Sequence, residues 1–268
     1  MSDPGPVRRR SVAGDNGVRI AVVEHGVAGR PAAVLAHGAG SSARFVVAAF
    51  AGPLIAAGWR LVTYDLRGHG DSQVVRDQAA HALARHVGDL GAVVASTSGP
   101  ITLVGGVSLG AHAAVRWAAS SGWCDGQLLA CLPAWTGRSV KGAGPHAMIA
   151  AELRRAGLPG VVDRLRGDPA LASWLRETLL AEYTRHDPGS LVAALVALDG
   201  AEAPGAQELV GIEVPIGVVG WRDDPAHPLA VAREWAGAAR SARLVVVAID
   251  DLEGDLEALG RASVAAVR

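Results

Sequence analysis

Gly106-Val107-Ser108-Leu109-Gly110 is the stretch on which the fold turns. It follows the apolar run Ile101–Val107 and leads into an Ala-rich stretch that starts at Ala111. A serine there sits on a sharp strand-to-helix turn. Strand and helix must approach closely in such a turn, so side chains at the flanking positions would clash and glycine is required on both sides. The helix N-terminus beside the serine favours a developing negative charge. Five residues of this pattern recur by chance in many chains, as a Gly-rich turn with an incidental serine. Between a strand and a helix the pattern is specific.

Working outward, His37-Gly38-Ala39-Gly40 directly follows another apolar run, Ala33–Ala36. Its glycines let the backbone pass close to a site. In an acyl-transfer enzyme the N–H of Ala39 would pair with that of Leu109 to bind an oxyanion. Taken alone, the stretch is also an ordinary strand-to-helix connection. A third segment, Tyr64-Asp65-Leu66-Arg67-Gly68-His69-Gly70-Asp71-Ser72, follows Arg60–Tyr64. Eight strands are predicted: Val7–Val12, Arg19–Glu24, Ala33–Ala36, Arg60–Tyr64, Ile101–Val107, Gln127–Leu132, Pro215–Gly220 and Arg243–Ile249. The first two read as antiparallel edge strands. Helical stretches lie between strands at Phe45–Ala57, Ala79–Ser96, Ala111–Ser120, Ala230–Ala239 and Leu256–Val267. Short Val/Leu/Ile runs alternating with helices predict an α/β protein with a mostly parallel sheet and helices on both faces.

The three motifs together resemble the α/β-hydrolase family, and the resemblance runs from about Val18 to the C-terminus, a helical insertion excepted. It implies that Ser108 is a nucleophile, that Ala39 and Leu109 are oxyanion donors, and that Asp65, Arg67 and His69 are structural. The family's acid follows the strand after the insertion. Here that stretch is Gly220-Trp221-Arg222-Asp223-Asp224-Pro225-Ala226-His227-Pro228, which places Asp224 in the acid position, with Asp223 fitting the spacing equally well. A carboxylate there orients and charge-stabilises an imidazole; Asp224 also fits as a cap of the following helix.

The family's histidine follows the last strand. Here the sequence is Asp250-Asp251-Leu252-Glu253-Gly254-Asp255, and no histidine occurs after His227. A serine hydroxyl is a poor nucleophile without a base, and loss of a triad member costs several powers of ten in rate. Candidate replacements are His227, on the rim where the acid loop enters the site, and Asp250 or Asp251. Two carboxylates sharing the pocket would raise one pKa, giving a general acid. His146 and His186 of the insertion are further candidates, though each also reads as a surface or packing histidine. His112, four residues past Ser108, reads first as a core histidine.

Between Leu132 and Pro215 no strand-like run occurs. Helical stretches at Pro145–Ala156, Pro159–Arg166, Pro169–Arg185 and Gly189–Asp199 predict a helical cap over 134–212, inserted after strand 6, with the core formed by 1–133 and 213–268. Gly38, Gly40 and Trp135 are expected to line a substrate pocket under it. Trp174 and Tyr183 would line the pocket or fix the cap, and Trp117 and Trp123 read as packing.

The 268 residues suit one such domain. Half are hydrophobic and the formal net charge is −1, so nothing points to nucleic acid or a membrane surface. Lys141 is the only lysine. Cys124 and Cys131 are expected to be two buried thiols in a reducing compartment, with a disulfide between them as the alternative. Met1–Ser11 has no apolar core of a signal peptide and no run reaches the length of a membrane helix, so a cytoplasmic protein is expected. No phosphate loop, dinucleotide fingerprint or His/Cys cluster implies a metal or organic cofactor. The expected function is hydrolysis of a small ester, thioester or lactone, or related acyl chemistry, with an incomplete or non-standard triad. A lyase or cyclisation step on an enolate, and ligand binding without turnover, stay open. The oligomeric state is not legible.

Overall fold

The computed structural model describes residues 7–138 and 145–268. Expectations falling on residues 1–6 and 139–144, including Lys141, the start of the N-terminal segment and part of the 134–212 insertion, lie outside it. Eight strands form one sheet: β1 Val7–Ala13, β2 Arg19–His25, β3 Ala32–Ala36, β4 Arg60–Tyr64, β5 Ile101–Val107, β6 Gln127–Cys131, β7 Ile216–Trp221 and β8 Ala242–Val247. Their order is β1-β2-β4-β3-β5-β6-β7-β8. The pairs β1/β2 and β2/β4 are antiparallel and the others parallel.

Successive side chains of a strand face opposite sides of the sheet. In β3, Ala32, Val34 and Ala36 enter the core beneath helices α2 (Leu83–Ala95) and α3 (Leu109–Ser121), while Ala33 and Leu35 enter the core beneath α1 (Ala43–Ala56). Both faces are covered, so the central strands are apolar throughout rather than alternating. Later in the chain α8 (Leu229–Ala238) joins the first face and α9 (Glu257–Ala266) the second.

Four helices stand between β6 and β7: α4 Pro145–Gly167, α5 Ser173–Tyr183, α6 Pro188–Ala197 and α7 Ala206–Gly211. The first three share a small core of Ala150, Leu153, Val161, Leu165, Tyr183, Leu191 and Leu195, against which Ala39 packs. The two helices expected on either side of Leu158 are found as two helical runs within α4, parted at Gly157, where φ is 65° and ψ is −169°. Local readings shift in two places. Residues 79–96 divide into a 3-10 turn, Ala79–His81, and α2; the Ala80 carbonyl is drawn off to the Arg67 guanidinium at 2.9 Å. The six-residue α7 was not expected, being too short to show a helical period. Both cysteines are free, but only Cys131, in β6, is buried as expected; Cys124 is exposed because it stands in the connection between α3 and β6.

Candidate active site

Ser108 stands between β5 and α3 with φ 53° and ψ −116°, a conformation costly for a side-chain-bearing residue. Its N–H donates to Cys131 O at 2.9 Å and its carbonyl accepts from His112 N–H at 3.0 Å. Those two bonds hold the turn while the side chain stays clear: Ser108 Oγ bonds no described residue. The glycines are explained by contact. A methyl on Gly106 would lie 2.5 Å from the Gly110 carbonyl carbon and 2.7 Å from Ala36 O. One on Gly110 would lie 2.7 Å from His37 O. These neighbours are backbone and cannot swing away. Gly106→Ala is therefore expected to cost about 1–3 kcal/mol by overpacking, read as a lower urea midpoint at unchanged slope; an unshifted midpoint would mean the turn yields freely.

Gly38 borders the serine, since a methyl there would meet Ser108 Cβ at 3.1 Å. Gly40 adopts φ 74°, and a methyl there would meet Tyr183 Cε1 at 2.5 Å. The inserted helices thus press on the 37–40 loop through Tyr183. Among the described residues, the N–H groups of Ala39 and Leu109 have no hydrogen-bond partner.

Histidines fix this loop. His37 Nε2 accepts from Leu66 N–H at 2.8 Å and its Nδ1–H donates to Gly38 O at 2.7 Å. His69 Nε2 accepts from Gly40 N–H at 3.0 Å and its Nδ1–H donates to Arg67 O at 2.9 Å. From the insertion, His186 donates Nε2–H to Gly40 O at 3.1 Å and accepts from Gly70 N–H at 3.2 Å. The ring centroids of His69 lie 5.3 Å from those of His37, 5.0 Å from His186 and 6.5 Å from His81, and His86 lies 6.1 Å beyond His81. Burial pushes His37 down to about 4 and holds His69 and His86 well below the usual imidazole range. The rings of His37 and His69 are neutral structural hydrogen-bonders. Asp65 is structural too: its carboxylate accepts from Ala43 N–H at 2.7 Å and Asp71 N–H at 2.8 Å. The clamping role of His186 has no sequence signal, because its partners lie 146 and 116 residues away.

On the other side, beyond β7, Asp224 is half-buried, its side chain 8% exposed, and accepts Nδ1–H of His227 at 2.6 Å and the Ala226 N–H at 2.8 Å. Burial alone would raise its pKa, but the His227 bond and charge, with the Ala226 and His227 N–H groups, together bring it below the usual carboxylate range. An ionised carboxylate only accepts, so His227 Nδ1 is the donor and Nε2 is the nitrogen left outside the pair. That Nε2 is buried and has no partner. The Trp221 ring lies 6.0 Å from the imidazole. His227 also acts electrostatically on His112 and His146, which burial pushes down to about 3 and about 4. His112 is only half satisfied: Nε2 accepts from Ala134 N–H at 3.1 Å, Nδ1 has no partner, and Trp135 packs edge-on at 4.5 Å.

The structure does not bring the segment after β8 into this group. Asp251 turns its carboxylate back onto Ala248 N–H at 2.8 Å, and Asp250 is exposed. Trp174 of α5 donates to Ile249 O at 2.9 Å and packs on Trp221 at 5.8 Å. Asp223 is exposed, whereas Asp224 is the carboxylate that meets an imidazole. Among the described residues, no three His, Cys, Asp or Glu side chains are grouped to hold a metal, and no helix is long and apolar enough to cross a membrane.

A mostly parallel eight-stranded sheet with a strained serine between its fifth strand and the next helix defines a protein of the α/β-hydrolase class. The sequence profile of the alpha/beta hydrolase family matches residues 33–251, and the chain belongs to that family. No curated protein sequence matches it. Among solved structures it resembles the enol-lactonase from Burkholderia xenovorans LB400, with a TM-score of 0.76, 20% identity, and 93% of this chain and 98% of that one covered. It also resembles the esterase EaEST from Exiguobacterium antarcticum, with a TM-score of 0.75, 16% identity, and 94% and 98% covered. A third is the bottromycin epimerase BotH in complex with bottromycin A2, with a TM-score of 0.69, 21% identity, and 97% and 99% covered. At these identities the likeness is one of fold.

Proposed function

We propose that this protein hydrolyses small esters, thioesters or lactones through Ser108, under a cap made by the inserted helices. The observation that carries the reading is the strain at Ser108, φ 53° with its Oγ left free. A fold does not keep a non-glycine residue there unless its surroundings impose it, and such strain gathers at working sites. Ala39 and Leu109 offer two unpaired N–H groups beside it for the oxyanion, and α3 adds its positive N-terminal end. Structural resemblance to an esterase and an enol-lactonase agrees with this choice of substrates.

The test is a fluorophosphonate probe beside a panel of p-nitrophenyl esters, phenyl thioesters and aromatic lactones. Wild type is expected to label at Ser108, and Ser108→Ala to lose labelling and at least about 10³-fold in turnover. One observation favours a second reading: Ser108 Oγ meets no imidazole among the described residues, and one structural neighbour is named as an epimerase. On that reading the oxyanion donors hold an enolate, the probe stays unreacted, and Ser108→Ala keeps its isomerising activity.

A further inference from the structure

We propose that His227, carried on the acid's own loop, is the general base for Ser108 in place of the histidine missing after β8. The inference rests on the hydrolase reading above. Of the nine histidines, all within the described residues, the others are spoken for or badly placed. Both ring nitrogens of His37, His69 and His186 hold backbone groups of the 37–40 and 66–70 segments. His81 is tied to Val75 O and His86 is wholly buried behind it. His112 Nε2 holds Ala134 N–H. His25 belongs to β2, two strands beyond β3 on the far side of β5. Among the described residues no carboxylate bonds His146, and the Asp224 carboxylate is bonded to His227 instead. His227 alone has one nitrogen on a carboxylate in the acid position and the other buried and unpartnered among the described residues.

Placement supports the assignment. β5, β6 and β7 are consecutive in the sheet. Ser108 N–H bonds Cys131 O of β6, and the next residue, Leu132, bonds Val219 O of β7, so serine and acid loop rise from the same edge. Two strand spacings amount to about 10 Å, a gap that a loop from Arg222 to Pro228 can bridge. The imidazole lies over β7, its ring 6.0 Å from that of Trp221 at the strand's end. Bonds between base and nucleophile are commonly long before substrate arrives and tighten in the complex.

The step then balances. His227 Nε2 takes the Ser108 hydroxyl proton as Oγ bonds the carbonyl carbon, and the carbonyl electron pair moves to the oxygen held by Ala39 and Leu109 N–H. Collapse breaks the bond to the leaving group, which receives the proton from His227. Water repeats the sequence on the acyl-enzyme, releasing the acid and restoring Ser108. Asp224 stays ionised and steadies the imidazolium.

The test compares fluorophosphonate labelling rates and p-nitrophenyl acetate turnover in wild type, His227→Ala, His227→Gln and Asp224→Asn. Glutamine keeps an N–H for Asp224 but cannot take a proton. Both His227 variants are expected to slow by about 10²–10⁴-fold with thermal midpoints near wild type. Added imidazole is expected to restore His227→Ala at least tenfold, which a structural histidine would not allow. Labelling of either variant at the wild-type rate overturns the assignment alone and leaves the hydrolase reading standing. Loss that follows the thermal midpoint in both variants, with no recovery in imidazole, marks a structural residue and also overturns it. Wild type inert to both probe and ester removes the hydrolase reading and the base with it.

Discussion

Arg67→Met is expected to lower the stability of this protein by about 3–5 kcal/mol at pH 7, measured by urea unfolding. Arg67 and Asp89 are both wholly buried, and the guanidinium meets the carboxylate twice, Nε to Oδ2 and Nη2 to Oδ1, each at 2.7 Å. The same guanidinium serves Ala80 O at 2.9 Å and Asp15 O at 3.2 Å, and Asp89 also accepts Asp15 N–H at 2.9 Å. Removing the cation leaves a carboxylate with no counter-charge in an apolar interior, which costs more than the pair contributes over an apolar substitute. Arg67→Met combined with Asp89→Leu is accordingly expected to recover most of the loss, short of wild type because Ala80 O and Asp15 O lose their donor. A domain of this kind is stable by about 5–15 kcal/mol in all, so the single change removes a large share. The effect should extend to the site, because Arg67 O receives the His69 proton that fixes the ring beneath Gly40. A single variant within about 1 kcal/mol of wild type would show that the pair does not hold this layer together.

The second large effect is loss of stability in mild acid. Burial holds His37 near 4 and His112 near 3, with His69 and His86 well below the usual range. The sign follows from which state takes up protons. Below about pH 6.5 the unfolded chain protonates these imidazoles and the folded chain does not. Their stabilising contribution is therefore complete above about pH 6.5 and declines as pH falls toward the folded values. Each such histidine costs up to about 1.4 kcal/mol per pH unit between its folded and unfolded values, so His37 and His112 together remove roughly 5 kcal/mol between pH 6.5 and pH 4. His69 and His86 add to the slope. Cooperative unfolding is expected at about pH 4–5, well above the pH at which ordinary carboxylates would cause it. Urea midpoints measured from pH 7.5 to 4.5 test this. A flat profile down to pH 5 would mean that the cluster protonates in the folded state.

Much of the sheet is legible from local pattern. Apolar runs give the central strands within one or two residues of their observed ends, because a strand covered on both faces must be apolar at every position, whereas β1, with Arg8, Arg9 and Arg10, is an exposed edge. Gly106, Gly110 and Gly38 mark the serine turn because backbone crowding excludes any side chain. The residue set around the serine is readable for the same reason, and so is the empty place of a histidine after β8. Where local pattern fades, the reading does as well: α7 is too short to show a period, and the Ala80 carbonyl leaves its helix for a guanidinium thirteen residues away.

What each histidine does was decided only by the tertiary structure. His37, His69, His81, His86 and His186 come from segments up to 149 residues apart (186 − 37), and meet because β3 and β4 are neighbours and the insertion folds back over their loops. The Asp224–His227 bond is local, three residues apart, and could be read as a helix start. Its second nitrogen is buried without a partner only because the chain packs around it, with the Trp221 ring 6.0 Å away. Sequence pattern records which residues are apolar and where the backbone must be bare. The protonation and reach of an imidazole depend on groups that chain crossovers bring together, and those are set when the layers pack.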